Sequence, residues 1–283
     1  MSSPNPSDNS EPAQLDKRSP GDWLAYLKTI LYVAIGGGLI VWSFLSIDID
    51  LSRTIHGLGN GLSDIGEMIP KGAKDLIHWR QALERPSLRE AFAQTVQMAI
   101  VGTVTGALIA LPVSFLAART GSLPRWFTGT VKTFLNVARA VPTIVYALIA
   151  VSSVGLGTAA GATAISVVSF IGLAKLYAEA LESVSPGPVE AVRAVGGTSS
   201  QVFVYGMLPQ VFPHYLATTL FTFEYNLKDS FIVGIVGAGG LGQELMDDIH
   251  LLEWREAGVI IALLIVLINV VDYISYRTRR VFS

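Results

Sequence analysis

Cysteine is absent from this sequence, and charged residues are scarce. Without cysteine there is no disulfide, no thiolate nucleophile and no cysteine-based metal site. Charged residues make up 15% of the 283 residues, whereas soluble domains carry about 25%. The net charge of −2 gives no indication of a nucleic-acid partner. The histidines show no metal-ligand spacing, so we predict no metal site; they are His56, His78, His214 and His250.

The sequence signatures of common enzyme sites are also missing. There is no G-x-x-x-x-G-K-[S/T] phosphate-binding loop, so the chain is not expected to hydrolyse ATP by itself. Neither H-E-x-x-H nor G-x-S-x-G occurs, and these absences disfavour an intramembrane enzyme. We therefore expect no catalytic residue and no cofactor in this chain.

Long uncharged runs dominate the sequence instead. No charged residue occurs in 29–47, 91–118 or 140–174. About 20 apolar residues match the ~30 Å hydrocarbon core of a bilayer, so the third run is too long for one span. We therefore predict an all-α membrane protein with about six transmembrane helices. The predicted spans are 24–47, 91–118, 128–153, 159–182, 211–236 and 256–276.

Basic residues in the short flanks of the spans predict the orientation, because they concentrate on the cytoplasmic side. They lie before the first span and after the second, fourth and sixth spans. Both termini are therefore predicted to be cytoplasmic, in a multi-pass protein of the bacterial inner membrane. The basic residues used for this prediction are Lys17, Arg18, Lys28, Arg119, Arg125, Arg193, Arg277, Arg279 and Arg280.

The chain divides into three regions by composition. Residues 1–20 are rich in Ser, Pro, Asn and Asp and are predicted to form a disordered cytoplasmic tail. Residues 21–90 contain the first span and a long outer loop, and 91–283 form the core domain. Apolar residues at three- and four-residue steps indicate an amphipathic helix in the outer loop. It lies on the membrane surface or covers the outer ends of the spans; these residues are Ile55, Leu58, Leu62, Ile65 and Ile69.

The cytoplasmic loop at 185–209 predicts a short helix-turn-helix. Pro186 and Pro188 suit the first turn of a helix, where a missing N–H costs nothing. The pair Gly196-Gly197 can end that helix in a left-handed conformation. Thr198-Ser199 then offers a cap for the next helix. Such a unit has the right size to bind in a groove of a soluble partner.

Glu190-Ala191, then Gly196, then Leu208-Pro209 resembles the EAA loop of ABC importer permeases in residue type and spacing. In that family the loop forms a coupling helix on the ATPase subunit. This sequence departs from the common pattern at Val192 and at Gly206, and the glycine is expected to loosen the second helix by about 1 kcal/mol. The resemblance implies these ATPase-coupling residues: Glu190, Ala191, Arg193, Gly196, Gly197, Leu208 and Pro209.

A longer stretch resembles phosphonate ABC transporter permeases. The resemblance covers roughly 90–280 and is carried by 95–97, 102–103, 139–142, 172–179, 205–210, 223–226 and 234–242. It implies a type I ABC importer permease-like bundle that imports phosphonate, phosphite or phosphate. The implied partners are a second permease copy or close homologue, two cytoplasmic ATPase subunits carrying ATP and Mg, and a periplasmic substrate-binding protein.

Ionisable residues within a span are costly and are therefore candidates for function. We hypothesise that Arg139 and Lys228 give the translocation path a positive potential for an oxyanion. The alternative is a structural ion pair, since Glu224 and Lys228 are four residues apart. Family members commonly have arginine at the Lys228 position, and lysine lacks its planar fork. The predicted translocation-path residues are Arg139, Glu224, Asn226, Lys228 and Asp229.

An ion-gradient-driven secondary transporter is the second function hypothesis. Glu224 and Asp229 would then serve as proton or cation sites. Secondary transporters often contain inverted repeats, and no convincing repeat occurs in this sequence. The cytoplasmic helix-turn-helix would also have no role in such a protein, so the importer subunit is the favoured hypothesis.

The segment 237–242 matches the glycine fingerprint of dinucleotide-binding folds. That fingerprint requires a βαβ unit, but the next substantial element is an apolar span from Ala257. We instead interpret the segment as a flexible turn or gate at the outer mouth, because glycine permits unusual backbone angles. The residues of this predicted outer gate loop are Gly237, Gly239, Gly240 and Gly242.

Overall fold

The computed structural model describes residues 22–46, 51–119 and 123–282. Their regular structure is helical throughout, which confirms the predicted all-α class. The predicted tail at 1–20 lies outside the described residues. The helices are α1 (Asp22–Ser46), α2 (Leu51–Met68), α3 (Ala73–Leu83), α4 (Pro86–Ala117), α5 (Arg125–Arg139), α6 (Thr143–Val154), α7 (Thr158–Glu182), α8 (Pro186–Ala194), α9 (Ser199–Gln201), α10 (Leu208–Val233), α11 (Gly240–His250) and α12 (Trp254–Phe282).

The chain forms two units, Met1–Gly61 and Leu62–Ser283. The described part of the first unit consists of α1 and the first residues of α2. Helix α1 carries an apolar stretch, Tyr26–Ser46, that is long enough to cross a membrane. This agrees with the first predicted span. The second unit contains the rest of α2 and helices α3 to α12.

Four helices of the described chain are long and apolar enough to cross a membrane: α1, α4, α7 and α12. A fifth span arises if α5 and α6 are counted as one bent helix. The fifth predicted span, at 211–236, corresponds to α10, which is 26 residues long. It is not among the apolar helices because polar residues and the charged residues Glu224, Lys228 and Asp229 interrupt it. Such a helix requires polar surroundings within a bundle.

The third predicted span is broken in the middle. Helix α5 ends at Arg139 and α6 begins at Thr143, with an angle of 87° between them. Pro142 lies in the break, at the residue preceding α6. Proline cannot donate a backbone hydrogen bond and disfavours helix in the residue before it. The break therefore places Arg139 at a corner between two helices rather than inside a continuous span.

Helices α4 and α7 pack most closely in the second unit. Gly102 and Gly106, one turn apart on α4, face Ile165 and Ser169 of α7. A Cβ atom on Gly106 would lie 2.8 Å from the backbone nitrogen of Phe170, so only glycine permits this approach. In lipid, helices associate through such close packing rather than through exclusion of water. The two glycines therefore set the spacing between α4 and α7.

The loop after the first span contains the amphipathic helix that the sequence predicts. Helix α2 exposes its apolar residues, with Leu62 at 69% and Ile65 at 53% exposure. At its C-terminal end, the backbone of Met68 packs against Gly258 of α12, where a Cβ atom would lie 2.8 Å from the Met68 Cα. Trp79 of α3 belongs to the same apolar cluster. The end of this loop therefore covers the start of α12.

Candidate functional site

Helix α8 forms the first half of the predicted cytoplasmic helix-turn-helix. None of its residues, Pro186–Ala194, is buried. The helix ends at Gly196, whose φ of 82° is left-handed. The Gly197 amide then donates to the carbonyl oxygen of Val192 at 3.0 Å, and a Cβ on Gly197 would lie 2.7 Å from that oxygen. The paired glycines thus end the helix as the sequence predicts.

The second half begins with a reciprocal cap. The Thr198 backbone N–H donates to Oε1 of Gln201 at 2.8 Å, and the Gln201 N–H donates to Oγ1 of Thr198 at 3.4 Å. This capping box satisfies two backbone donors at once, so Thr198 rather than Ser199 is the cap. The chain then passes through a wide helical turn at Val202–Met207 and enters α10 at Leu208–Pro209.

Gly206 has a packing role that the sequence does not predict. It is buried, and a Cβ atom there would lie 3.1 Å from the Cα of Val189 and 3.4 Å from the carbonyl oxygen of Pro188. The wide turn therefore approaches the backbone of α8 closely. Glycine at position 206 is expected to loosen the second helix. It also permits tight contact between the two halves of the helix-turn-helix.

Gln210 joins the two ends of this loop, and the sequence gives no sign of it. Its Oε1 accepts a hydrogen bond from the Ser185 backbone N–H at 3.0 Å. Its Nε2 donates to the carbonyl oxygens of Ser185 at 3.4 Å and of Gly206 at 2.6 Å. Within the motif, the glutamine directly follows Leu208-Pro209, and only the fold shows that its amide reaches 25 residues back along the chain.

The outward surface of the helix-turn-helix is open. Glu190, Ala191 and Arg193 on α8 are exposed. Val195 and Tyr205 are 85% and 68% exposed. Charged and large apolar groups thus lie together on a projecting surface, a combination typical of protein interfaces. The structure therefore offers the predicted coupling residues to a partner.

A cavity of about 620 Å³ lies beside the break between α5 and α6. It is lined by the end of α5, the start of α6, and parts of α7 and α10. Arg139 and Asp229 are the charged residues among its described lining residues. Asp229 is 4% exposed, and its Oδ2 accepts a hydrogen bond from the Thr143 hydroxyl at 2.8 Å. One cation and one anion therefore face this space.

Asn226 also lines the cavity, but its amide group is occupied. Its Nδ2 donates to Oγ1 of Thr103 on α4 and to Oγ of Ser169 on α7, each at 2.7 Å. All three side chains are buried. Asn226, a predicted translocation-path residue, therefore joins α4, α7 and α10 at the edge of the cavity. Little of its side chain is exposed to the cavity.

Glu224 and Lys228 lie on another face of α10. Nζ of Lys228 is 3.3 Å from Oε1 of Glu224 and 3.9 Å from Oδ1 of Asp272 on α12. Lys228 thus points toward α12, whereas Arg139 lines the cavity next to α7. The structure does not bring together the two cations of the oxyanion hypothesis. The geometry of Glu224 and Lys228 is that of the structural ion pair considered as the alternative.

The glycine-rich segment packs against α4, and two of its residues, Gly239 and Gly240, also line an open space. Gly239, Gly240 and Gly242 are buried, and Gly239 has a φ of 84°. The backbone N–H groups of Gly240 and Leu241, which begin α11, donate to Oε1 of Gln94 at 2.9 Å and to Oγ1 of Thr95 at 2.8 Å. Side chains of α4 therefore cap α11, which the sequence could not reveal.

An ion cluster links α4, α11 and α12 at the other end of the second unit from α8. Nη2 of Arg85 is 3.2 Å from Glu256 and 3.6 Å from Asp248, while Nε2 of His78 is 2.9 Å from Glu256. Burial raises the pKa of Asp248 to about 6; Arg85 opposes the shift and neighbouring carboxylates such as Glu244 add to it. In the described ranges, no group of three or more His, Cys, Asp or Glu side chains could hold a metal ion.

The broken apolar helix, the projecting helix-turn-helix and the polar cavity are features of transport permeases. Residues 110–278 match the family of binding-protein-dependent transport system inner membrane components, which covers more than half of the chain. The chain belongs to this family and is a multi-pass membrane protein.

Individual relatives narrow this assignment. The chain is 32% identical over 246 residues to HtxC of Stutzerimonas stutzeri, covering 85% of this chain and 84% of HtxC, a permease protein named for phosphite transport. It is 31% identical over 264 residues to the phosphite transport system permease protein PtxC of the same organism, covering 93% of each chain. Among solved structures, a chain of the inward-facing MetNI methionine ABC transporter matches with a TM-score of 0.60 and 26% identity, over 67% of this chain and 93% of that chain.

Proposed function

We propose that this chain is the permease subunit of an ATP-driven importer for phosphonate or a related phosphorus oxyanion such as phosphite or phosphate. The observation that carries the proposal is the exposed helix α8, ended by Gly196 and Gly197 and packed on the turn that leads into α10. The names of the phosphite permeases HtxC and PtxC support the substrate class.

The proposed importer contains partners that supply energy and substrate. The chain has no phosphate-binding loop of its own, so two ATPase subunits carrying ATP and Mg would bind the α8 surface from the cytoplasm. A second copy of this chain or a close homologue would complete the path, and a periplasmic protein would deliver the substrate. Both termini would then lie in the cytoplasm.

The cavity geometry suits an anion passing through this subunit. A phosphorus oxyanion needs its charge offset outside bulk water, and an arginine binds such oxygens with two parallel hydrogen bonds. Arg139 faces the cavity from the corner after α5. Asp229 also lines the cavity. It would limit the positive potential and let the anion leave again, because a site that binds too tightly would not transport.

Family membership and the structural match point away from a secondary transporter. The matched structure is that of an ABC transporter, and the family description names a binding protein. Glu224 and Asp229 would need to share a site for gradient-driven transport. Instead Glu224 contacts Lys228, while Asp229 accepts from Thr143 on the cavity side.

Reconstitution of the complete complex in vesicles tests the proposal. Uptake should require ATP on the ATPase side and the substrate-loaded binding protein outside, and should survive an uncoupler. Methylphosphonate, phosphite and phosphate should compete with one another, whereas sulfate should not. Uptake that persists without ATP and stops with an uncoupler would contradict the importer, and equal uptake of sulfate would contradict the substrate class.

A further inference from the structure

The side chain of Gln210 connects the two ends of the cytoplasmic loop by hydrogen bonds. The loop leaves α7, forms α8 and α9, and returns to the membrane at α10. Ser185, the residue before α8, is held by Gln210 in the first turn of α10 through both its N–H and its carbonyl oxygen. The same amide also binds the carbonyl oxygen of Gly206 in the wide turn. Three backbone groups, two of Ser185 and one of Gly206, therefore bind this one side chain.

The hydrogen bonds between Ser185 and Gln210 connect the start of α8 directly to α10. Along the chain, the two helices are joined through a left-handed glycine, a three-residue helix and the wide turn Val202–Met207. Such irregular segments can deform when a partner pulls on α8. The Gln210 hydrogen bonds bypass them, because they tie the start of α8 to the start of α10 directly. A displacement of α8 would otherwise be absorbed within the loop.

Helix α10 carries this displacement to the cavity. Asn226 and Asp229 lie on the same helix as Gln210, and Asn226 is about 24 Å further along at 1.5 Å per residue. Both residues face the cavity, and Asn226 also binds α4 and α7. Helix α10, which runs from Leu208 to Val233 and contains Pro213, therefore links the loop to the polar groups around the cavity.

We propose that Gln210 is the positioning residue that makes α8 and α10 move as one body, so that ATPase motion reaches the cavity. The inference rests on the proposed function. Glutamine suits this place because its amide accepts from one N–H and donates to two carbonyl oxygens. A glutamate would face those oxygens with a negative charge, and an asparagine is one methylene shorter.

Two variants weaken this connection, one at Gln210 and one at Ser185. Gln210→Met keeps the length of the side chain and removes all three hydrogen bonds. Ser185→Pro removes the hydrogen bond from the Ser185 N–H to Gln210, and Ser185 already has a φ of −63°, the value that proline imposes. Gln81→Met, at an exposed glutamine of α3, is the matched control.

The measurement is the amount of oxyanion imported per ATP hydrolysed by the reconstituted complex. For Gln210→Met, this ratio should fall about five- to tenfold, as loss of one to two net hydrogen bonds predicts, while hydrolysis stays within about twofold. Ser185→Pro should lower the ratio in the same direction and by less. Gln81→Met should leave it unchanged within about twofold.

The outcomes separate this inference from the proposed function. If the wild-type complex shows no ATP-dependent uptake, the proposed function fails. If the wild type couples and both variants keep the wild-type ratio, the inference about Gln210 is overturned. A parallel loss of uptake and hydrolysis in both variants also overturns it, because that result indicates a purely structural role. Should Gln210→Met not assemble, the ratio of Ser185→Pro decides.

Discussion

The hydroxyl of Thr143 donates a 2.8 Å hydrogen bond to the buried carboxylate of Asp229, and this bond joins the start of α6 to α10 beside the cavity. The first turn of a helix favours a negative charge, because its N–H groups have no helical partners. Pro142, which precedes α6, supplies no side-chain acceptor. Asp229 therefore places a carboxyl group from another helix beside the start of α6, near the corner where Arg139 ends α5.

This arrangement predicts different effects for the two cations of the oxyanion hypothesis. Arg139→Ala should lower uptake of a phosphorus oxyanion about tenfold or more, because a charge-assisted hydrogen bond contributes about 1.5–3 kcal/mol. Lys228→Ala should keep uptake within about threefold, because Lys228 points to Glu224 and Asp272 and does not line the cavity. Uptake assays with equal amounts of assembled complex provide the measurement. Equal losses for both variants would contradict the assignment of the cavity.

The Thr143–Asp229 bond should contribute to stability. Thr143→Val keeps the shape of the side chain but leaves a buried carboxylate without its donor, and we expect a loss of about 1–3 kcal/mol in the free energy of unfolding. A thermal unfolding series of single and double variants, with Asp229→Asn as the second change, measures the coupling. The double variant should lose less than the two single variants together. Thr163→Val, at an exposed threonine of α7, is the control and should change little.

Gly206→Ala should weaken the contact between the two halves of the helix-turn-helix. The added Cβ would lie 3.1 Å from the Cα of Val189, and overpacking of this kind costs about 1–3 kcal/mol. Gly187→Ala is the matched control, since Gly187 lies on α8 with nothing within 4 Å of a Cβ atom. Binding of the ATPase subunit to detergent-solubilised permease should fall for Gly206→Ala only. Equal binding by the two variants would show that the close approach has no role.

Local signals explain how much of the loop could be predicted from the sequence. Proline at the start of α8, the glycine pair at its end and Thr198 as the next cap all act within four residues of themselves. Their chemistry is therefore visible in the sequence, and the structure has all three. The long uncharged runs predict spans for a similar reason. Each run forms a helix, and a helix makes its backbone hydrogen bonds within the same segment.

Contacts between distant parts of the chain could not be predicted. The sequence places Lys228 and Asp229 side by side, but their directions depend on where α12 and α6 pack, so one residue faces Asp272 and the other Thr143. Gly240 and its partner Gln94 are 146 residues apart. The sequence therefore could not show that Gln94 and Thr95 of α4 bind the backbone that follows the glycine segment.

Reversing the charge of Glu190 should disturb the partner surface without disturbing the fold. Glu190 is exposed on α8, so Glu190→Arg removes no buried contact and should change the free energy of unfolding by no more than about 0.5 kcal/mol. We expect ATP hydrolysis to continue while uptake falls several-fold, because the altered α8 no longer follows the ATPase. Charge reversal at Glu84, exposed on the outer loop, is the control. Unchanged uptake per ATP in Glu190→Arg would contradict the coupling role of α8.

The ion cluster around Asp248 predicts a pH dependence of stability. Burial raises the pKa of Asp248 from 3.8 to about 6, with Glu244, Glu253 and Glu256 adding to the shift against Arg85. A carboxyl group whose pKa is higher in the folded protein stabilises it below the unfolded pKa, and this contribution is lost as the pH rises through the folded value. The unfolding temperature of the wild type should therefore fall between about pH 4 and pH 7.

Two variants on α11 isolate the contribution of Asp248 to this slope. Asp248→Asn cannot ionise and should flatten the decrease, while Asp247→Asn, at the exposed neighbouring residue, should keep the wild-type decrease. His78, which contacts Glu256, is unchanged in both variants. Thermal unfolding in detergent across this range gives the measurement. We expect different slopes, because burial beside three carboxylates disfavours the ionised form of Asp248 in the folded protein. Equal slopes in the two variants would show that the pH dependence of stability does not arise from Asp248.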